Sequence, residues 1–146
     1  MNRERTDDVV PCHLTARNHL SELSRLSEFL AAFGNRAGLS ADVVGDVELA
    51  VEEVFVNAAT HGHPEGGEHP ISVSIALEAG VVQVTVEDDG VPFNPLEAPL
   101  ANLDLPLAER GIGGLGIHLV KGVMDDLEYT RLEGRNRLVM RKKVRP

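Results

Sequence analysis

The fold is decided by the stretch Ile71-Ser-Val-Ser-Ile-Ala-Leu-Glu-Ala-Gly-Val-Val-Gln-Val-Thr-Val86, in which apolar residues occupy every second position on both sides of a turn. This alternation predicts two β-strands that bury one face and leave the other in solvent. Glu78-Ala79-Gly80 between them is typical of a tight turn that joins antiparallel strands. The stretch therefore predicts a β-hairpin near the middle of the chain.

Two further elements are predicted near the start of the chain. Val9 to Leu14 is a short apolar stretch that predicts a first strand. Thr15 is expected to cap a helix that ends at Gly34 and Gly38. Apolar residues in this helix recur every three or four positions, at Leu20, Leu23, Leu26, Phe29, Leu30 and Phe33.

After the hairpin, residues 91–110 carry four prolines and little periodicity, which predicts a partly ordered lid. A helix is predicted from Ile117 to Met124, and then a closing hairpin of Leu127–Arg131 and Arg137–Lys143. With a second helix before residue 62, the order is β-α-α-β-β-lid-α-β-β. This order predicts an α+β fold, a two-layer α/β sandwich with a mainly antiparallel sheet and its helices on one face.

Composition and charge restrict the possible classes of function. The chain has 146 residues, which fits a single domain over residues 1–146. Its 14 basic and 23 acidic residues give a formal net charge of −9, and only 3% of residues are aromatic, which disfavours binding to nucleic acid or anionic lipid. One cysteine, no apolar run of membrane-spanning length and no signal-like N-terminus predict a soluble cytoplasmic protein.

The first candidate for chemistry lies on the second helix, which Ser40 is expected to cap and which runs to about His61. The helix contains Glu48-Leu-Ala-Val-Glu-Glu53-Val-Phe-Val-Asn57-Ala. Glu53 and Asn57 are one turn apart, so their side chains meet at the border of the apolar stripe. A carboxylate and an amide oxygen there suit Mg²⁺ and a positioned hydroxyl or water. A solvated acidic helix with an ordinary asparagine has the same pattern.

The second candidate is Asp88-Asp89-Gly90, which follows the second strand of the central hairpin. A carboxylate at a strand end can accept a hydrogen bond from an exocyclic amine such as N6 of adenine. Gly90 would let a flat ring approach the backbone. The same three residues are also typical of a plain turn.

The third candidate is Gly111-Ile-Gly-Gly-Leu-Gly116, which opens the helix after the lid. Backbone amides in such a turn, together with a helix N-terminus, can cradle phosphate groups. Arg110 directly before it could reach a terminal phosphate. A dinucleotide-binding fold is disfavoured, because a proline-rich loop rather than a strand precedes the glycines. Glycines required only for packing remain the alternative.

The histidines give a weaker signal. His61 and His63 stand close together in the sequence. They lack a cysteine or a further histidine at zinc-binding spacing, so no metal site is expected there.

In order and spacing, these three candidates together resemble the motifs of the GHKL (histidine kinase-like) ATPase superfamily, which includes gyrase and the histidine kinases. The likeness is greatest to the small bacterial anti-sigma-factor serine kinases. The Glu48–Ala58 stretch resembles the N-box motif of this superfamily. Asp88-x-Gly90 resembles its first G-box, and Gly111 to Gly116 resembles its second G-box. The resemblance covers about residues 9–143 and implies a Bergerat-type ATP-binding fold.

The resemblance also implies a role for each motif residue. Asn57 would bind Mg²⁺, and Glu53 would be the general base that takes a hydroxyl proton. Asp88 would hold the adenine amine with Gly90 beneath the ring, and Arg110 would touch the γ-phosphate. The glycines that would receive the phosphates are Gly111, Gly113, Gly114 and Gly116.

The function implied by the resemblance is an ATP- and Mg²⁺-dependent protein serine/threonine kinase that also binds a sigma factor. Its substrate would be an anti-sigma-factor antagonist, so that transcription is controlled by partner switching, and relatives of this type form homodimers. A departure from the family pattern is Gly134-Arg-Asn-Arg-Leu138, where many relatives place a threonine near the adenine. The alternative is a module that binds nucleotide and sequesters a partner without kinase activity.

Overall fold

The computed structural model describes residues 9–97 and 114–144, which form five strands and three α-helices. Their order along the chain confirms the prediction. The elements are β1 (Val9–Arg17), α1 (Leu23–Ala37), α2 (Ala41–His61), β2 (Pro70–Glu78), β3 (Val81–Asp88), α3 (Gly114–Val123), β4 (Asp126–Leu132) and β5 (Arg135–Lys143). Within the described ranges, no helix has the length and apolar character needed to cross a membrane.

The strands form one antiparallel sheet in the order β1-β2-β3-β5-β4. β2 and β3 are the predicted central hairpin, in which Val73 pairs with Val86. Each hairpin turn contains two consecutive residues with positive φ, a geometry that matches the right-handed twist of the strands. These residues are Ala79 (53°), Gly80 (77°), Glu133 (54°) and Gly134 (79°).

The helices cover one face of the sheet, and this face is apolar. Alternate strand residues pack there with residues of all three helices in one buried cluster. The buried residues of the sheet include Ile71, Val73, Ile75, Leu77, Val82, Val84, Val86, Leu138 and Met140. On β2 and β3 the opposite face carries the polar residues Ser72, Ser74, Gln83 and Thr85. The predicted two-layer α+β sandwich is therefore confirmed.

The start of α1 differs from the prediction. Thr15, expected as its N-cap, lies in β1 and pairs with Ser72 of β2. Pairing with β2 satisfies the backbone groups of this segment, so the strand extends to Arg17 instead of stopping at residue 14. A short 3₁₀ turn, Leu20–Glu22, then leads into the helix.

The two glycines near the end of α1 have different roles. Gly34 lies inside the helix rather than at its end, and a Cβ there would be only 2.5 Å from Val44 Cγ2 of α2. Gly38 ends the helix in the left-handed region with φ 71°. Gly34 therefore allows α1 and α2 to pack closely, and only Gly38 acts as the predicted stop.

The N-terminus of α2 is capped as the sequence predicted. The Ser40 hydroxyl accepts a hydrogen bond of 3.2 Å from the backbone N–H of Val43, which would otherwise be unpaired at the helix start. The helix runs from Ala41 to His61 and buries Val47, Ala50, Val51, Val54 and Phe55. The cap therefore fixes where α2, the helix that carries Glu53 and Asn57, begins.

We expect Ser40→Ala to lower the free energy of unfolding by about 1 kcal/mol, because the N–H of Val43 loses its acceptor. Ser40→Asp keeps an acceptor oxygen and should stay close to the wild type. Urea denaturation followed by circular dichroism measures both variants. Equal stability of Ser40→Ala and the wild type would contradict the cap.

Candidate active site

A cavity opens between the C-terminal half of α2 and the end of the sheet formed by β3, β4 and β5. Apolar side chains form most of its wall. The residues that line it are Val54, Asn57, Ala58, His61, Gly62, Val86, Asp88, Val91, Phe93, Pro95, Tyr129, Asn136 and Leu138. A concave, largely apolar cavity with a few polar groups is typical of a site for a small organic ligand.

Asp88 and Asn136 form the polar end of this cavity. They are cross-strand partners on β3 and β5, and Asn136 Nδ2 donates to Asp88 Oδ1 at 3.0 Å. The Gly90 N–H also donates to Asp88 Oδ1, at 2.8 Å. The Asp88 residue is 9% exposed, so its carboxyl group is held in a single orientation inside the cavity.

Asn136 is itself fully hydrogen bonded. Besides Asp88, its Nδ2 donates to the carbonyl oxygen of Val91 at 2.9 Å. Its Oδ1 accepts from the Tyr129 hydroxyl at 2.5 Å and from the Phe93 N–H at 3.2 Å. This one amide therefore ties the end of β3 and the first residues after it to the β4–β5 hairpin.

Gly90 makes the close approach that the sequence suggested, although its partner is protein backbone. A Cβ on Gly90 would lie 2.6 Å from both the Cα and the carbonyl oxygen of Gly62, the residue after α2. The Val91 N–H donates to the Gly62 carbonyl oxygen at 2.8 Å, and Arg131 Nη1 donates to the Gly90 carbonyl oxygen at 2.7 Å. Only glycine fits this position, because the backbone of the Gly62 segment occupies the space of a side chain.

Glu53 lies where α2 faces the first turn of α3. A side chain on Gly116 would overlap the Glu53 carboxylate, with Oε1 the nearest atom. The Asn57 residue, one turn further along α2, is 4% exposed and lines the cavity. One edge of α2 therefore presents the Glu53 carboxylate to the first turn of α3 and the Asn57 amide to the cavity.

The acidic groups near this edge influence one another. Burial, the charge of Glu48, a hydrogen bond with it and the charge of Glu53 all raise the pKa of Glu52.

At the end of β3, burial alone would raise the pKa of Asp89. The hydrogen bond from His63 and the charges of His63 and His69 outweigh burial and lower it. Negative charge is therefore concentrated along α2, and Asp89 is paired with histidine.

The structure brings together most of the site residues predicted from the sequence. Asn57 and Asp88 line one cavity, Gly90 supports its polar end, and Glu53 meets Gly116 beside it. Gly114 is the first residue of α3. Three predicted residues, Arg110, Gly111 and Gly113, lie outside the described residues, as do residues 98–110 of the lid predicted over residues 91–110.

Asn136 and Tyr129 were not among the residues predicted for the site. The sequence did contain an indication that Asn136 is buried, because alternation on β5 places it on the same face as Leu138 and Met140. A polar residue in a row of core positions indicates a buried hydrogen-bond partner. Its partner is 48 residues away along the chain, so the sequence pattern alone did not identify the Asp88–Asn136 pair.

Comparison with known proteins gives the family to which this chain belongs. The sequence profile of the family described as Histidine kinase-like ATPase domain matches residues 16–142. The chain belongs to this family, which confirms the resemblance drawn from the three motifs.

Within the family, the chain is similar to proteins named serine-protein kinase RsbW. It is 30% identical over 132 residues to the one from Listeria monocytogenes serotype 4a (strain HCC23), which covers 87% of this chain and 82% of that protein. It is 30% identical over 110 residues to the one from Bacillus cereus (strain AH187), which covers 72% of this chain and 68% of that protein.

Solved structures show the same fold. The RsbU and RsbW domains of a Mycobacterium tuberculosis protein align with a TM-score of 0.67 at 18% identity, over 94% of this chain and 34% of that chain. The present chain thus spans about a third of that longer polypeptide. The histidine kinase domain of the blue-light activated kinase EL346 from Erythrobacter litoralis aligns with a TM-score of 0.54 at 20% identity, over 85% and 60% of the two chains.

We expect Asn136→Ala to lower the free energy of unfolding by about 1–3 kcal/mol, since it leaves buried partners without hydrogen bonds. Thr130→Ala, on the exposed side of β4, is the matched control and should change it by less than about 0.5 kcal/mol. Chemical denaturation measures both. Equal effects of the two substitutions would show that the Asn136 network adds nothing to stability.

Proposed function

We propose that this chain is an ATP-dependent protein serine/threonine kinase that phosphorylates an anti-sigma-factor antagonist and, as an anti-sigma factor, binds a sigma factor. Family membership supports ATP as the substrate, and similarity to serine-protein kinases supports transfer to a hydroxyl group of another protein. The observation that carries the proposal is the edge of α2. There Glu53 meets Gly116 and, one turn away, Asn57 enters the same cavity as Asp88.

Asp88 is the proposed contact for the adenine amine. Both hydrogen bonds that its side chain accepts from the described residues reach Oδ1. Oδ2 is therefore the oxygen available to an exocyclic N–H₂ group. The apolar wall of Val54, Val86 and Leu138 suits a flat heterocycle, and Gly62, which Gly90 contacts, also lines the cavity.

Asn57 is the proposed ligand of the Mg²⁺ ion that accompanies ATP. The fit is chemical: its amide oxygen is a hard donor, and Asn57 lines the same cavity as Asp88. Bound Mg²⁺ would neutralise charge on the phosphates. The start of α3 at Gly114 supplies backbone N–H groups that favour negative charge. The phosphate roles of Gly111 and Gly113, and that of Arg110, remain part of the proposal.

Glu53 is the proposed general base. Its carboxylate would accept the proton of a serine or threonine hydroxyl while that oxygen bonds to the γ-phosphorus and ADP leaves. Gly116 supports this role, because any larger residue would displace the carboxylate. The proposed base therefore lies between α2 and the first turn of α3.

Three further parts of the proposal follow from the family resemblance and the composition. The acceptor hydroxyl belongs to a partner protein, the antagonist. The chain acts in the cytoplasm as a single domain over residues 1–146, and it forms a homodimer. A net charge of −9 favours protein partners over nucleic acid.

We expect Glu53→Gln to lower the rate of phosphoryl transfer by about 10²–10⁴-fold while ATP still binds, because the amide cannot take the proton. Transfer of radiolabelled phosphate from ATP to the antagonist encoded in the same genome measures the rate. Glu28→Gln, an exposed glutamate on α1, is the matched control and should keep the wild-type rate.

Two results would contradict this proposal. Full transfer by Glu53→Gln would remove Glu53 as the base. Binding of MgATP by the wild type without any transfer would make the chain a nucleotide-dependent sequestering module instead of a kinase.

We expect Asn57→Ala to abolish the Mg²⁺-dependent part of ATP binding while the melting temperature stays nearly unchanged, because the amide faces the cavity. Calorimetric titration with ATP, with and without Mg²⁺, separates the two parts, and a thermal melt monitors folding. A large loss of melting temperature would show that Asn57 is structural.

A further inference from the structure

Three side chains with metal-binding chemistry meet outside the proposed nucleotide site: His63, His69 and Asp89. Their candidate ligand atoms all lie within 4.8 Å of one another. His63 Nε2 is 2.9 Å from Asp89 Oδ1, and His69 Nδ1 is 3.7 Å from Asp89 Oδ2. No metal site was expected at His61 and His63, because they lack a cysteine or a further histidine at zinc-binding spacing. His69 and Asp89 approach His63 only in the folded chain.

His61 and His63 are separated by the end of α2. His61 lines the cavity, with its ring centroid 5.8 Å from that of Phe93. His63 is not among the residues that line the cavity and instead stacks on His69. Their ring centroids are 3.4 Å apart, with an angle of 6° between the planes. The pair suggested by spacing is therefore not the pair that the fold assembles.

We propose that His63, His69 and Asp89 bind one divalent first-row transition-metal ion, for which Zn²⁺ is the representative. Two imidazoles and a carboxylate are a donor set that such ions prefer, whereas Mg²⁺ favours oxygen ligands alone. Ligand atoms that are each about 2.1 Å from one ion lie roughly 3.4 Å apart. The ligand atoms are therefore already at about the required separation, and binding needs the stacked rings to tilt apart until both nitrogens face the ion.

The backbone around His69 is held in place before any ion binds. The His69 N–H donates to Asn18 Oδ1 at 2.9 Å, and its carbonyl oxygen accepts from the Asn18 N–H at 3.0 Å. Asn18 Nδ2 also donates to the Gly67 carbonyl oxygen at 3.1 Å. A ligand on a fixed backbone loses little entropy on binding.

The site is open to solvent on one side. The side chains of His63, His69 and Asp89 are 18%, 34% and 37% exposed. An ion can therefore enter, and water can complete its coordination.

The ion would cross-link the two ends of the loop between α2 and β2 to the residue that follows β3. His63 follows Gly62, and Asp89 precedes Gly90, so the metal would lie beside the Gly62–Gly90 backbone contact. Metal binding would thus fasten residues 62–69 to the end of β3.

The test is a calorimetric titration of the full chain, produced without a polyhistidine tag, with Zn²⁺ in the absence of nucleotide. We expect one ion per chain. His63→Ala, His69→Ala and Asp89→Ala should each weaken binding by at least about tenfold, since even outer-shell partners of a metal ligand contribute 10–100-fold. His13→Ala, an exposed histidine on β1 beside Cys12, should bind like the wild type.

Hydrogen exchange gives a second readout that locates the ion. Zn²⁺ should slow exchange of the amides in residues 62–69 of the wild type but not of His69→Ala. Absence of saturable binding to the wild type would overturn the proposal, and so would equal affinity of all the variants. Because no ATP is present, the outcome is independent of whether the chain is a kinase.

Discussion

The packing of the apolar stripe of α2 against the sheet is the contact on which the rest of the site depends. Val47, Ala50, Val51 and Val54 are buried against the strands, and this burial fixes the rotation of the helix about its axis. Once that rotation is set, Glu53 and Asn57 can occupy only the border between the core and solvent. The position of these two polar residues is therefore a consequence of hydrophobic burial, and no separate structural feature is needed to orient them.

Two glycines let other segments of the chain approach α2 and the residue after it closely. Gly116 lets the start of α3 meet the Glu53 carboxylate, and Gly90 lets the chain after β3 lie on Gly62 at the end of α2. Both contacts join segments that carry different motifs. At Gly90 a side chain would have to occupy space filled by the backbone of Gly62, whereas at Gly116 it would displace the end of the Glu53 side chain.

The polar end of the cavity and the histidine cluster share the end of β3. Asp88 points inward to Asn136, whereas Asp89 lies on the other side of the strand end, beside His63. Successive residues of a strand point to opposite faces, so adjacent carboxylates serve separate environments. The cavity and the proposed metal site are thus distinct in chemistry but meet at the same short stretch of backbone.

The local patterns of the chain determined the element order, the fold class and the placement of Asn57, Asp88 and Glu53, because periodicity and caps depend on neighbours within a few residues. Thr15 was assigned wrongly for the same reason: its pairing partner, Ser72, is far away in sequence and extends the strand through it. Asn136 shared the core face of β5, but its partner could not be identified from spacing.

What only the tertiary structure decided are the contacts between distant segments. The Asp88–Asn136 pair, the Gly116–Glu53 approach and the meeting of His63 with His69 and Asp89 all depend on how strands and loops align at one end of the sheet. Spacing along the chain carries no information about such distances, since they are set by register and by helix packing. The sequence by itself specified which groups were present, and the fold decided which of them touch.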